Sequence, residues 1–183
     1  MSAPTTAGVE ELTQFAGTDL DDLCSAAEAS IAEGGGFGWL KAPPRRIMEA
    51  YWKGVLLVPE RHLFVARLDG VIAGSLQLVR PPRNNEAQAL AVQLMSAFIA
   101  PWARGHGLAR GLVLAAEMRA RAVGAEIVNL DVRATQTAAI RLYERLGYTR
   151  WGTHPAYARV GGEIIPGHFY WKRLTSPPAG AGA

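Results

Sequence analysis

The chain has 183 residues, 49% of them hydrophobic and 19% charged, which is enough for one domain with a full core and excludes a disordered or fibrous chain. Its net charge of +3 is uneven, with 8 Lys+Arg against 11 Asp+Glu over residues 1–100 and 11 against 5 over residues 101–183, and the cations are too dispersed for nucleic acid or a membrane surface, which leaves a phosphorylated small molecule as the ligand to expect. A single cysteine, Cys24, excludes an internal disulfide framework, and the lack of a leader-like start or an apolar run of roughly 18 residues points to a cytoplasmic protein.

Residues 1–8 and the tail SPPAGAGA (176–183) read as flexible ends, with a single domain over 9–175 between them. Thr18 with Asp21 reads as a variant capping box ahead of a helix. Leu20, Leu23, Cys24, Ala27 and Ile31 share one face of that helix, and Gly34, Gly35 and Gly36 end it. Pro43 and Pro44 open a second helix with Ile47, Ala50 and Tyr51 as its apolar stripe. The segment between them, GGGFGWLKAPP, reads either as a connection whose Phe37 and Trp39 plug the core or as a lid over a substrate. Residues 63–68 and 71–79 read as strands joined by an Asp69-Gly70 hairpin turn. A polar loop, PPRNNEAQ, leads to an apolar strand over residues 89–100. Beyond the loop PWARGHGLARG, Leu108, Leu112, Ala116, Ala120 and Val123 stand at helical spacing. The strand EIVNLDV, a helix over about 136–146 closed by Gly147, and a last strand near 168–174 follow. Antiparallel strands first and a βαβ unit later describe a mixed α/β domain.

The loop between the apolar strand and the third helix is poor in side chains and flanked by cations. A helix N-terminus leaves its first amides without intrahelical partners and carries partial positive charge, so it suits an anion. Gly105 and Gly107 let backbone approach a diphosphate, and Arg104 and Arg110 add charge. The dinucleotide fingerprint G-x-G-x-x-G fits Gly105 and Gly107 but meets Arg110 at its third position. The signature R/Q-x-x-G-x-G/A fits residues 104–109 at every fixed position.

A second block, VRATQTAAIRLYERLGY, resembles the segment V-x-x-x-N-x-x-A-I-x-L-Y-E-x-x-G-F of the GCN5-related N-acetyltransferase (GNAT) family. The likeness is clear over residues 90–150 and coarse from 10 to 175. A looser likeness, resting on NNEAQALAVQLMSAFIAPWARGHGLARG and FYWKRL, is to the branch that inactivates tabtoxin and similar small antimetabolites. The resemblance implies an α/β fold with a central mixed, mostly antiparallel, splayed sheet flanked by about four helices. It implies acetyl-CoA as co-substrate, the amides of Gly105, His106, Gly107, Leu108, Ala109 and Arg110 on its diphosphate, and the strand end at Phe98 and Ile99 beside its pantetheine arm and thioester carbonyl. Gln136 takes the place of the family's usual Asn, one methylene longer. Tyr143 matches the family tyrosine that protonates the departing thiolate; read alone, it belongs to an apolar helical face with Ala139, Leu142 and Leu146.

In EIVNLDV, Val128, Leu130 and Val132 share one face and Asn129 and Asp131 the other. Asp131 could take the amine proton, or orient the amine, if partial burial raises its pKa; otherwise it is solvated or paired with Arg133. Glu86 and a water held by Gln93 are the alternatives. Cys24 in an apolar stripe argues against an acetyl-cysteine intermediate, and the four histidines have no metal-ligand spacing. The expectation is direct transfer of acetyl to a primary amine of a small molecule, by a monomer or homodimer. A catalytically silent CoA-binding sensor and a dinucleotide-dependent oxidoreductase are the other readings. GGGFGWL, PPRNNEAQ and WGTHPAYARVGGEIIPG supply the acceptor walls, with Trp39, Trp151 and Tyr157 as aromatic surfaces.

Overall fold

The computed structural model describes residues 5–35 and 38–174. In chain order they form β1 (Ala7–Leu12), α1 (Asp19–Ala32), α2 (Arg45–Leu57), β2 (Arg61–Leu68), β3 (Val71–Val79), β4 (Ala91–Ile99), α3 (Leu108–Ala122), β5 (Ile127–Arg133), α4 (Thr137–Arg145), β6 (Thr149–Val160) and β7 (Glu163–Arg173). The strands make a seven-stranded, mostly antiparallel sheet in the order β1-β2-β3-β4-β5-β7-β6, and with the four helices this is the mixed α/β architecture expected. No described helix is long and apolar enough to cross a membrane. Two compact units are distinguished, one drawing on the chain up to Val79 and on Leu94–Ala116, the other on Arg80–Gln93 and the chain from Glu117 onward.

In the first unit, α1 buries Leu23, Cys24, Ala27 and Ile31 as its periodicity predicts. Its two ends differ. Glycines close it in a Schellman motif: Gly34, at φ +73°, donates its N–H to Ile31 O, and Gly35 donates to Ser30 O (both 2.9 Å). The capping box at its start does not form. The Thr18 hydroxyl bonds the Asp22 carboxylate at 3.1 Å instead of a backbone amide, and Asp19, not Asp21, reaches back to the Ala16 N–H at 3.1 Å. Asp19 is buried, and the Arg67 guanidinium at 2.9 Å holds its carboxyl below the ordinary carboxylate range.

Helix α2 turns Met48, Trp52 and Val55 into the core, with Tyr51 partly buried; Ile47 and Ala50 are exposed, contrary to the expected stripe. Three aliphatic or aromatic side chains at i, i+4 and i+7 outweigh the weaker pattern one residue away, since burial stabilises by about 1.5–3 kcal/mol per large side chain. The β2–β3 hairpin turns at Asp69 (φ +50°) and Gly70 (φ +86°), two left-handed residues that match the twist of the paired strands. β1, outside the expected elements and beginning inside the segment read as a flexible end, pairs antiparallel with β2 over its whole length.

Ser96 in β4 has φ +53°, a left-handed residue within a strand. Phe98 and Ala100 join the core cluster with Trp52 and Ile72, while Leu94, equally buried and of the same parity, does not. The kink at Ser96 therefore exchanges the inward and outward sets along one strand.

In the second unit β7 lies between β5 and β6, antiparallel to both. β7 begins at Glu163, five residues before the expected strand, and β6 fills a segment read only as acceptor wall. One face of β7 is tied to helices: Tyr170 OH donates to Glu144 Oε1 (3.0 Å), and Lys172 Nζ donates to both oxygens of the buried Glu117 (2.7 and 2.9 Å). The opposite face carries Phe169 and Trp171, paired across to Asp131 and Asn129 of β5.

Candidate active site

The glycine loop follows a short turn at Pro101–Ala103 and opens α3. Gly105 (φ +86°) and Gly107 (φ +75°) are both left-handed, and a Cβ at either would meet nothing within 4 Å. Backbone conformation, not crowding within the chain, requires glycine there. The first helical bond is Gly111 N–H to Gly107 O at 3.0 Å. Among the described residues, no protein group accepts from the N–H groups of Gly105, His106, Gly107, Leu108, Ala109 or Arg110. Six successive bare amides at a helix start are a donor set of the kind that suits an anion. His106 is exposed, a ring nitrogen 3.3 Å from Ala103 O; Arg110 is exposed; and Arg104 pairs with Glu33 at 2.7 Å, both about half exposed.

At the end of β4, Phe98 is buried with its ring 6.4 Å from that of Trp52. Its carbonyl oxygen lies 2.3 Å from where a Cβ on Gly74 would stand, so Gly74 admits the close approach of this strand end. Ile99 lies against the same glycine, and Ala100 N–H is committed to Ala73 O at 2.7 Å. Trp39 packs edge-on to Tyr51 with centroids 4.9 Å apart, as a core plug does; Phe37 and Gly36 lie outside the described residues. Cys24 is fully buried, and burial pushes its thiol up to about 11, which leaves it without a reactive thiolate at neutral pH.

In the second unit, Gln136 stands at the N-cap of α4 and Tyr143 is that helix's buried residue. Burial first, and the charge of Asp131 second, push the Tyr143 phenol up to about 12. Asp131 itself is exposed, so the partial burial expected of it does not occur, and among the described residues Arg133 does not pair with it. It is instead held by neutral donors: Gln93 Nε2 reaches Oδ1 at 2.9 Å, and the Tyr157 hydroxyl donates to Oδ2 in a short hydrogen bond. Gln93 and Asp131, separate alternatives in the sequence, are thus joined by a hydrogen bond. Glu86 is exposed in the turn Glu86–Gln88.

Around Asp131 an open cleft of about 510 Å³ is lined by Gln93, Asn129, Trp151, Phe169 and Trp171, with Leu130 and Tyr170 behind them. Phe169 is the hub of its wall, with Trp151 at 5.7 Å and Tyr157 edge-on at 5.9 Å. Neither Phe169 nor the Tyr157–Asp131 bond is foreseeable from motif or periodicity. The available signal is Gly167, a glycine inside a strand, which marks a close approach.

The sequence profile of the Acetyltransferase (GNAT) family matches residues 25–148. A protein of Azospirillum brasilense described as an uncharacterized N-acetyltransferase in the hisH-hisA intergenic region is 62% identical over 128 residues, covering 70% of this chain and 76% of that protein. Mycothiol acetyltransferase of Thermobispora bispora is 48% identical over 59 residues; the match takes in 32% of this chain and 20% of that protein's length. Among solved structures, an acetyltransferase from Salmonella typhimurium with its cofactor acetyl-CoA has the same fold, with a TM-score of 0.73, 18% identity and coverage of 94% of this chain and 96% of that one.

Proposed function

The chain belongs to the GNAT family of acetyltransferases, and from that premise we propose that it transfers an acetyl group from acetyl-CoA to a primary amine of a small molecule. The observation that carries this reading is the run of six bare amides from Gly105 to Arg110, a donor set suited to the diphosphate of CoA. Arg110 adds a cation there, and Arg104 does so on leaving Glu33. Acetyl-CoA supplies an activated thioester, at whose carbonyl carbon a neutral amine nitrogen displaces the thiol. The backbone at Phe98 and Ile99 and the side chain of Gln136 attend the pantetheine arm.

The chain's own groups do the rest. Tyr143 keeps its proton at neutral pH and offers it to the leaving sulfur. A phenol at about 12 facing a thiol of ordinary pKa near 8.5 would give that proton up uphill by roughly 5 kcal/mol, at 1.36 kcal/mol per unit. Tyr143 therefore works as a hydrogen-bond donor to developing negative charge, with full transfer left to water. Asp131, exposed and oriented by two donors, accepts from the amine and attracts its ammonium form.

The test is thiol release from acetyl-CoA over a panel of amines, run beside calorimetric CoA binding. Release with at least one amine is expected. Tight CoA binding with no release from any amine would mark a silent CoA-binding module, and no CoA binding at all would overturn the assignment of the loop.

A further inference from the structure

The cleft in the second unit carries more than a generic amine site. Resting on the acetyl-transfer reading, we propose that this cleft is the acceptor subsite, that Tyr157 and Gln93 position Asp131 there as the seat of the acceptor's ammonium group, and that the acceptor is a cationic amine with no carboxylate beside its nitrogen.

The fold goes to some length to bring Tyr157 to Asp131. β6 and β5 are not neighbours; β7 runs between them, so the Tyr157 side chain must cross a whole strand. Two features allow it. The β6–β7 register breaks between His154 and Ala158, which frees Pro155, Ala156 and Tyr157 from regular pairing. Beneath the ring, β7 carries Gly167, where a Cβ would stand 2.1 Å from Tyr157 Cγ and within 2.6 Å of both Cδ atoms. Any other residue at 167 would drive the ring off β7 and its hydroxyl off Asp131. Gly167 has no left-handed φ, so room for the Tyr157 ring is its own requirement.

The lining sets the class of acceptor. At about 510 Å³ the cleft suits a small molecule. Asp131 is the single charged group among its lining residues, and Trp151, Phe169 and Trp171 give aromatic surface around it. A protonated amine gains from both the carboxylate and the ring faces. The α-carboxylate of an amino acid would be repelled by the same groups. Arg133, the next residue on the Asp131 face, lies outside this lining although its charge reaches the Tyr157 phenol, so none of the lining residues offers a counter-charge to a carboxylate.

The experiment compares four matched pairs as acceptors: tyramine with tyrosine, phenethylamine with phenylalanine, agmatine with arginine, and cadaverine with lysine. It reads thiol release and, separately, calorimetric binding of each member. We expect kcat/KM at least about tenfold higher for the decarboxylated member of a pair that is used. Tyr157→Phe should raise the KM for that amine about tenfold with the KM for acetyl-CoA unmoved, and Gly167→Ala should reproduce the effect. Should Gly167→Ala not fold, Tyr157→Phe, which keeps the ring, decides alone. Equal or better use of the amino acids would overturn the acceptor class and leave acetyl transfer standing. Amine binding without transfer would sink the transfer reading and leave the subsite standing. An unchanged amine KM in Tyr157→Phe would overturn its positioning role, and neither binding nor use of any pair would overturn the subsite.

Discussion

Replacing Gly107 by alanine isolates what the glycine loop contributes. A Cβ at this position meets nothing within 4 Å, so collision within the chain adds no cost, and the whole effect comes from holding a non-glycine residue at φ +75°. That costs about 1–2 kcal/mol, offset by about 0.4–1 kcal/mol because alanine also stiffens the unfolded chain, for a net loss of about 1 kcal/mol. For a domain of this size, thermal unfolding should then fall by about 2–4 °C. If the loop in Gly107→Ala instead relaxes out of the left-handed region, the melting temperature is spared and acetyl-CoA must restore the loop on binding, so its dissociation constant should rise about five- to thirtyfold. Gly107→Asn, a residue that tolerates this conformation, should lose about half as much free energy in whichever measurement carries the strain. Calorimetry and a melting curve on the three proteins suffice. An unchanged melting temperature with unchanged acetyl-CoA affinity, the loop relaxed and the carrier still held, would refute the claim that these amides grip the carrier. A loss beyond about a hundredfold would show that the ligand itself occupies the space of the missing Cβ.

Two other perturbations follow from the second unit. Lys172→Met removes both hydrogen bonds from Lys172 to the buried Glu117 carboxylate, leaving Arg121 at 3.6 Å as its neighbouring cation among the described residues, and should cost about 3 kcal/mol in urea unfolding; Lys172→Met with Glu117→Gln should recover most of it, and additive losses would sink the pairing argument. For Tyr143, folding favours the neutral phenol, so the stability it contributes is complete below the unfolded value near pH 10 and is lost as pH rises towards about 12. The stability difference between wild type and Tyr143→Phe should therefore shift against wild type across that window; a difference constant from pH 9 to 12 would contradict the assignment.

What could be read from the chain beforehand divides along physical lines. The Asp69-Gly70 hairpin, the glycine stop of α1 and the bare-amide loop depend on chemistry within a few residues, so the local sequence carries them. The two overlooked strands, β1 and β6, are the two edges of the sheet. An edge strand exposes most of its side chains, so AGVEEL and TRWGTHPAYARV show almost no apolar alternation, and Gly152 and Pro155 read as loop. The stripe of α2 is ambiguous in the sequence because two apolar registers overlap, and only the core decides between them. In the candidate site, Asp131 and Gln93 are visible as polar residues on strands, but their meeting, and the arrival of Tyr157 across β7, depend on a register break that no local pattern announces.

The left-handed serine in β4 has a consequence for how this chain tolerates change. Upstream and downstream of it, the same strand obeys opposite inside–outside rules, so position 96 works as a phase marker. Straightening that one residue to an extended conformation, with the chain length unchanged, would restore uninterrupted alternation and swing Phe98 away from Trp52, while every side chain in the segment kept its identity. What this stretch must keep is the left-handed turn of one residue, because the burial of Phe98 depends on it.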